Sequence, residues 1–443
     1  MNIRLSDHFS FGRLLRFTMP SIVMMIFTSV YGVVDGLFVS NFVGKTSFAA
    51  INLILPLVMA MGCGGFMIGT GGSALVSKTL GEGDQKKANE IFSLLVYFTV
   101  AVGLALSVVG LIFLRPVAVM MGAEGQILED ALLYGRILLL TQTFFMVQNV
   151  FQSFFVTAEK PQLGLAVTVA AGVTNIVLDF VFIVLLRMGL LGAAMATVTS
   201  QVVGGAIPLL YFSGSNRSRL QLTRTHIDWA ALWKTCTNGS SELMTNLSMS
   251  LVNFLYNLRL MQMIGEDGVA AYGVIMYLNF IFISIFLGYS VGCAPIVSFH
   301  FGAAGHDELK NLFRKSLVIL CTAGVLLTGA GLVLATPLAT VFVGYDAGLL
   351  ALTSRGMSLY ALSFLFAGLN IFGSAFFTAL NNGAISAFIS FLRTMVFQVA
   401  AVLLLPLVMG VDGIWLAILA AEGLALCVTL VCLVTQGKRY RYL

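Results

Sequence analysis

Residues 149–158 read NVFQSFFVTA, and residues 370–379 read NIFGSAFFTA. Asn149, Phe151, Ser153, Phe155, Thr157 and Ala158 recur at a distance of 221 residues, about half of the 443-residue chain. The same shift holds outward in both directions without a gap. Gly44, Ala49 and Ala50 fall on Gly265, Ala270 and Ala271; Gly71, Val76, Ser77 and Gly81 on Gly292, Val297, Ser298 and Gly302. Gly103, Gly110 and Pro116 fall on Gly324, Gly331 and Pro337; Gly189, Gly192 and Ala196 on Gly410, Gly413 and Ala417. Apolar residues match by chance, so the Gly, Pro and Asn matches carry the weight. One register over a whole half makes the chain a tandem repeat.

The repeat is written in apolar residues. The chain is 59% hydrophobic and 10% charged, where a soluble domain is about a quarter charged. A bilayer core needs about 20 apolar residues per helix. Spans are predicted at 14–39, 48–76, 91–114, 131–157, 163–186 and 190–212, then at 235–262, 269–298, 312–335, 350–378, 384–409 and 413–434. The runs are continuous, without the alternation of a closed barrel. The first run, Leu14 to Val39, is too long for a signal peptide and is read as helix 1. The fold class is therefore an all-α polytopic membrane protein of 12 transmembrane helices. Residues 1–212 form an N-lobe, 213–234 a linker, and 235–443 a C-lobe with a tail. Six spans per copy is an even number, so the two lobes are parallel and enclose a central cleft, a recurrent plan among secondary transporters.

With the N-terminus placed in the cytoplasm, 17 Lys and Arg lie on that side and three (Lys45, Arg115, Arg187) on the other. This places both termini in the cytoplasm of a cell membrane protein. The basic tail is a topology and lipid signal rather than one for nucleic acid. The six cysteines show no C-x-x-C pair and read as small packing residues. No G-x-x-x-x-G-K-[ST] stretch is present, which argues against ATP as the driver.

Charges inside spans are functional candidates. Asp35, Asp179, Glu242, Arg259, Arg393 and Glu422 stand out. Asp35, Asp179 and Thr197 lie about 6–11 Å below the outer surface at about 1.5 Å per residue. Ser21, Thr28 and Asp35 share one helical stripe, as do Thr168, Asn175 and Asp179. Facing stripes give a pocket in which two carboxylates share a proton, or hold Na⁺ with oxygens from Asn175 and Thr197. The alternative is a polar network that only fixes helix packing. Glu242, Asn246, Ser250, Asn253 and Asn257 form another stripe, near the start of helix 7 as the spans are drawn. With Asn149 and Arg259 it is read as candidate cavity lining, against the alternative of helix-to-helix glue. Arg259 and Arg393 are read as partners of Glu242 or Glu422. The 20 Met and 35 Phe are compatible with an adaptable apolar pocket, though singly most belong to core or lipid contact. Pro20 should kink helix 1 and is a candidate hinge.

Several stretches resemble the multidrug and toxic compound extrusion (MATE) family. They are TMPSIVMMIFTSVYGVVDGLFVSNFVG (18–44), FFVTAEKPQLGLAVTVAAGVTNIVLDFVF (154–182) and GLLGAAMATVTSQ (189–201). The resemblance runs over essentially the whole chain and looks like the family's bacterial export branch. It implies export of cationic, amphipathic drugs in exchange for H⁺ or Na⁺, with no other cofactor and a monomeric transporter as the expectation. Asp35, Asn175, Asp179 and Thr197 are spaced like the family's first-lobe cation site. Helix 10 has no acid between Leu350 and Thr378, so a second-lobe site is not expected. A lipid-linked oligosaccharide flippase of the same superfamily is the alternative, though the few intramembrane cations suit a pyrophosphate cargo poorly. An intramembrane enzyme or a channel is the reading from another class. The spans offer no His for an enzyme, and a channel more often assembles around a symmetric pore.

Overall fold

The computed structural model describes residues 3–443 as helices joined by short turns, with no strand among the described residues. Residues 1 and 2 of the expected N-lobe lie outside the described residues. In the first half, α1 is Phe11–Phe42, α2 Lys45–Gly81 and α3 Gln85–Met120. The bent pair Gly125–Leu140 and Gln142–Thr157 is α4, Pro161–Leu185 is α5, and Gly189–Ser213 is α6. In the second half, α7 is Trp229–Met263, α8 Glu266–Gly302 and α9 His306–Val343. The bent pair Ala347–Ala361 and Phe364–Ala379 is α10, Gly383–Met409 is α11, and Val411–Tyr440 is α12.

Nine of these helices are individually long and apolar enough to cross a bilayer, and the two bent pairs bring the number to 11. The twelfth, α7, carries Ser, Thr and Asn along its length and misses that standard by composition. It occupies the place of α1 in the second copy at the 221-residue shift.

Most helices extend a turn beyond the predicted runs, because capped polar residues continue them at the interfaces. Asp84 Oδ1 accepts from Lys87 N (2.9 Å) at the start of α3. Asp228 Oδ1 accepts from Ala230 N (3.0 Å) and Ala231 N (3.1 Å) at the start of α7. The irregular connection therefore ends at Trp229, earlier than the expected 234, and Lys234 lies inside a helix. This moves Glu242 from the edge of α7 to well inside it, correcting the sequence reading of its depth. Within these spans α4 bends by 54° and α10 by 47°. The bends fall at Thr141 and Leu362, which are repeat partners. Neither is Pro or Gly.

The two lobes meet along a seam of close backbone contacts. A methyl group on Gly71 of α2 would collide with the Thr235 carbonyl of α7, and one on Gly239 of α7 with the Met67 carbonyl of α2. One on Gly81 of α2 would strike Phe299 of α8, and one on Gly302 of α8 would strike Lys78 of α2. Lys78 and Phe299 are repeat partners, as are Gly81 and Gly302, so a pseudo-twofold axis runs between α2 and α8. Gly288 and Gly292 of α8 pack on Ser21, Ile22 and Thr18 of α1 in the same manner. These contacts occupy the half of the molecule nearer the termini. They end near mid-height, where Ser29 Oγ of α1 donates to Phe280 O of α8 (3.3 Å). Beyond that point a methyl on Gly32, Gly36 or Gly273 would meet nothing within 4 Å. The lobes are thus held in close backbone contact on the termini face, and these three glycines make no such contact on the opposite side.

Both chain ends pack on the closed face. Leu5 and Phe9 are fully buried. Leu5 N donates to Glu159 Oε1 (2.7 Å) in the α4–α5 turn, and Phe9 N donates to Glu308 Oε1 (2.9 Å) in α9. His8 Nδ1 lies 2.6 Å from Glu308 Oε2, and Phe9 O accepts from Asn311 Nδ2 (3.0 Å) and Lys315 Nζ (2.6 Å). The segment before α1 therefore straps the first lobe to the second. At the other end, Tyr442 packs on Phe313 and Phe376 at 4.9 Å between ring centroids.

Candidate functional site

A buried polar cluster of the first lobe starts from a missing side chain. Gly172 lies on the same stripe of α5 as Thr168, Asn175 and Asp179. A methyl there would overlap the ring of Phe27 and crowd Tyr31. Its absence lets α1 press onto α5. Tyr31 and Asp35, one helical turn apart, then come to lie over Asn175 and Asp179. The Asp35 carboxyl lies near the Asp179 carboxyl and the Asn175 amide.

Asp179 is the last α-helical residue of α5, which continues as a π-helix over Phe180–Leu185. Leu186 N bonds back to Val181 O (2.9 Å) across the wider turn. Such segments are frequent at functional sites. Tyr134 of α4 closes the cluster. It is 3% exposed and lies near Thr197 of α6 and both carboxylates. Thr197 Oγ1 itself donates to Ala193 O (3.0 Å). Four helices thus converge on one point.

The cluster is unusual in what it lacks. Asp179 is 0% exposed and Asn175 2%. Yet Asp35 Oδ1, Asn175 Oδ1 and both Asp179 oxygens are buried without a hydrogen-bond donor among the described residues. Buried carboxylates are ordinarily paired, because an uncompensated charge in a low dielectric is costly. Four orphaned oxygens in one place fit a small cation, which takes oxygen ligands, or a proton held between two carboxyls.

The other sequence candidates are distributed differently. Glu422 is satisfied: Arg393 donates to it through Nη2 (2.7 Å) and Nε (2.9 and 3.1 Å), and Asn370 Nδ2 donates to Oε2 (2.7 Å). Thr429 Oγ1 completes the set by donating to Asn370 Oδ1 (3.0 Å). Of the alternatives left open for Arg393, the structure selects Glu422. Arg259 pairs with neither acid. Its Nη2 donates to Leu403 O (3.1 Å), which corrects that expectation, because α11 brings a backbone carbonyl within its reach first.

Glu242 is half-buried, near Cys63 of α2 and Arg393 of α11, so it faces the space between the lobes. On the same stripe, Asn246 Nδ2 and Asn257 Nδ2 donate to carbonyls one turn back, at 2.8 and 3.0 Å. Asn253 Oδ1 accepts from Tyr272 OH (2.8 Å). Asn149, repeat partner of the fully bonded Asn370, has a buried amide nitrogen without an acceptor. Pro20 lies inside the continuous helix α1. Tyr134 is the site residue that sequence reasoning missed; it lies 63 residues ahead of Thr197 on a separate helix, and nothing local marks it.

Comparison with known proteins fits this architecture. The multidrug export protein MepA of Staphylococcus haemolyticus is 24% identical over 366 residues, covering 81% of this chain and 80% of its own. A crystal structure of MATE in complex with MaL6 superposes with a TM-score of 0.93 at 21% identity, covering 98% of both chains. A structure described as the outward-facing conformation of a multidrug resistance MATE family transporter of the MOP superfamily gives 0.92 at 22% identity. It covers 97% of this chain and 96% of its own. The family model MatE matches twice, at residues 20–181 and 243–404, once in each half. The duplicated six-helix lobes and this double match, which spans most of the chain, place the protein in the MatE family.

Proposed function

We propose that the protein is a secondary active multidrug efflux transporter that exports cationic, amphipathic compounds by H⁺ or Na⁺ antiport. The observation that carries this reading is the cluster of orphaned oxygens on Asp35, Asn175 and Asp179. Relatives named multidrug export protein MepA support the reading of drug export. The reading requires no cofactor beyond the coupling ion and takes the monomer as the transporting unit. It also takes 1–212 and 235–443 as the rocking lobes, with both termini cytoplasmic, so that the face opposite the termini is the outer one.

In the cycle we infer, a cation or proton enters from the outer side and binds between Asp35 and Asp179. This favours drug release and closure of that side. Release of the ion at the other face lets drug bind between the lobes, where Glu242 offers a negative charge. One positive charge moving inward across about 150 mV supplies about 3.5 kcal/mol, at about 2.3 kcal/mol per 100 mV. That supports a gradient of roughly a few hundredfold for a neutral drug. A cationic drug reduces it.

The test is ethidium efflux from proteoliposomes under separate pH and Na⁺ gradients. Asp35→Asn and Asp179→Asn should each abolish gradient-driven efflux, and the gradient that drives the wild type identifies the ion. Full efflux by both variants would sink the reading.

A further inference from the structure

We propose that a pocket on the termini face, outside the transport pathway, binds a phosphate group, as in the headgroup of an anionic lipid. The cavity has a volume of about 280 Å³ and is lined by Arg4, Lys160, Arg217 and Arg219, with Glu159 and Ser218 between them. Three separate segments build it: the strap before α1, the turn between α4 and α5, and the connection after α6.

Glu159 is the keystone. It sits in a left-handed conformation (φ 59°). Its Oε1 accepts from Leu5 N at 2.7 Å and pairs with Arg219 Nε at 3.3 Å. This one carboxylate is engaged by the strap and by Arg219. The side chains of Arg4, Lys160 and Arg217 form no ion pair among the described residues, while Asp7 Oδ2 accepts only from the Arg4 backbone N (3.1 Å). Four cations therefore share one concave space with a single acid. Like charges held together call for an anion, and the arginine fork matches the oxygens of a phosphate.

The level of the pocket suits a headgroup. Its walls begin where α4 ends at Thr157, where α5 begins at Pro161, and just past the end of α6 at Ser213. That is the boundary between apolar helix and water. Anionic surfaces attract juxtamembrane basic residues. The site also bears on the seam: the Arg219 guanidinium lies over the Phe299 ring of α8, 5.5 Å from its centroid. An occupied pocket would bind strap, turn and connection into one body on the closed face.

The experiment uses the full-length protein in nanodiscs and in detergent. Native mass spectrometry would count retained phosphatidylglycerol against phosphatidylcholine for the wild type, for Lys160→Gln/Arg217→Gln, and for the control Arg224→Gln, which changes a basic residue outside the pocket. Phosphatidylglycerol retention should fall about thirtyfold in the double variant, at about 1 kcal/mol per basic residue, and stay at the wild-type level in the control. Equal thermal midpoints would show that the double variant is folded. A parallel arm measures inorganic phosphate on delipidated protein. Retention there, lost in the double variant, keeps the site and assigns it to a soluble phosphate. If the double variant matches the wild type in both arms, or the control falls equally, the proposal is overturned. Ion-driven efflux through Asp35 and Asp179 is a separate readout, so failure of either idea leaves the other standing.

Discussion

Glu422 is buried with a full set of partners, whereas Asp35 and Asp179 are buried almost without them. Stability measurements should separate the two cases. Glu422→Gln leaves the Arg393 guanidinium unpaired in the lobe core and should cost about 3–5 kcal/mol, as for other broken buried pairs. Asp35→Asn and Asp179→Asn remove charge that nothing compensates, so each should leave the thermal midpoint unchanged or raise it. A large destabilisation by either would mean the cluster is a packing network rather than a binding site. Tyr134→Phe removes only a hydroxyl. If that hydroxyl supports the cluster through Thr197, apparent affinity for the coupling ion should fall about tenfold, near the worth of one hydrogen bond, with maximal efflux little changed. The acids were legible in the sequence because a charge inside an apolar run is conspicuous. Tyr134 was not, since a tyrosine near the end of an apolar run is ordinary. The pairing of Arg393 was open for a similar reason: sequence shows that two acids and two arginines lie inside spans, but not which helices touch.

At the level of helices, the spans follow from length and hydropathy, and their alternating directions follow from the basic loops. The bends at Thr141 and Leu362 do not, because no breaker residue marks them. The π-helical turn after Asp179 likewise has no local signature. The Asp228 cap starts α7 at Trp229, so Glu242 lies 13 residues into the helix rather than near its start. One duplicated turn offers a direct test. Gly83 (φ 87°) and Ala304 (φ 54°) are repeat partners, both left-handed, but only the first is glycine. A residue with a Cβ pays roughly 1–2 kcal/mol in that conformation, and glycine loses about 0.5–1 kcal/mol in chain entropy. Ala304→Gly should therefore stabilise the protein by up to about 1 kcal/mol. A lower midpoint by thermal shift in detergent would show that the Ala304 methyl makes contacts that outweigh the strain.

For the molecule as a whole, the duplication was visible in the sequence, and its divergence also. At the repeat shift, Asp35, Asn175, Asp179 and Thr197 become Tyr256, Val396, Ala400 and Ile418. In the second lobe Tyr256 stacks on Tyr272 at 4.8 Å, so aromatic packing stands where the first lobe keeps acids. The seam was not visible, because the matched glycines show where backbones can approach but not which partner they meet. Gly239→Val should push α7 off Met67 and part the lobes at the termini face. Spin labels at Glu82 and His306 in a cysteine-free background should then report a longer distance. An unchanged distance would rule the seam out as the closing element. The seam's position also has a mechanical consequence. At about 1.5 Å per residue, α2 runs about 20 Å from Met67 to Gly81 and about 33 Å from Met67 to Lys45. It is an unequal lever with its fulcrum near Met67 and its short arm clamped. Parting the short arm by about 3 Å would swing the far rim by about 5 Å the other way, in the ratio of those lengths. The width of the mouth is thus governed by ångström-scale spacing at the opposite face, and a wedge there would move a rim it never touches.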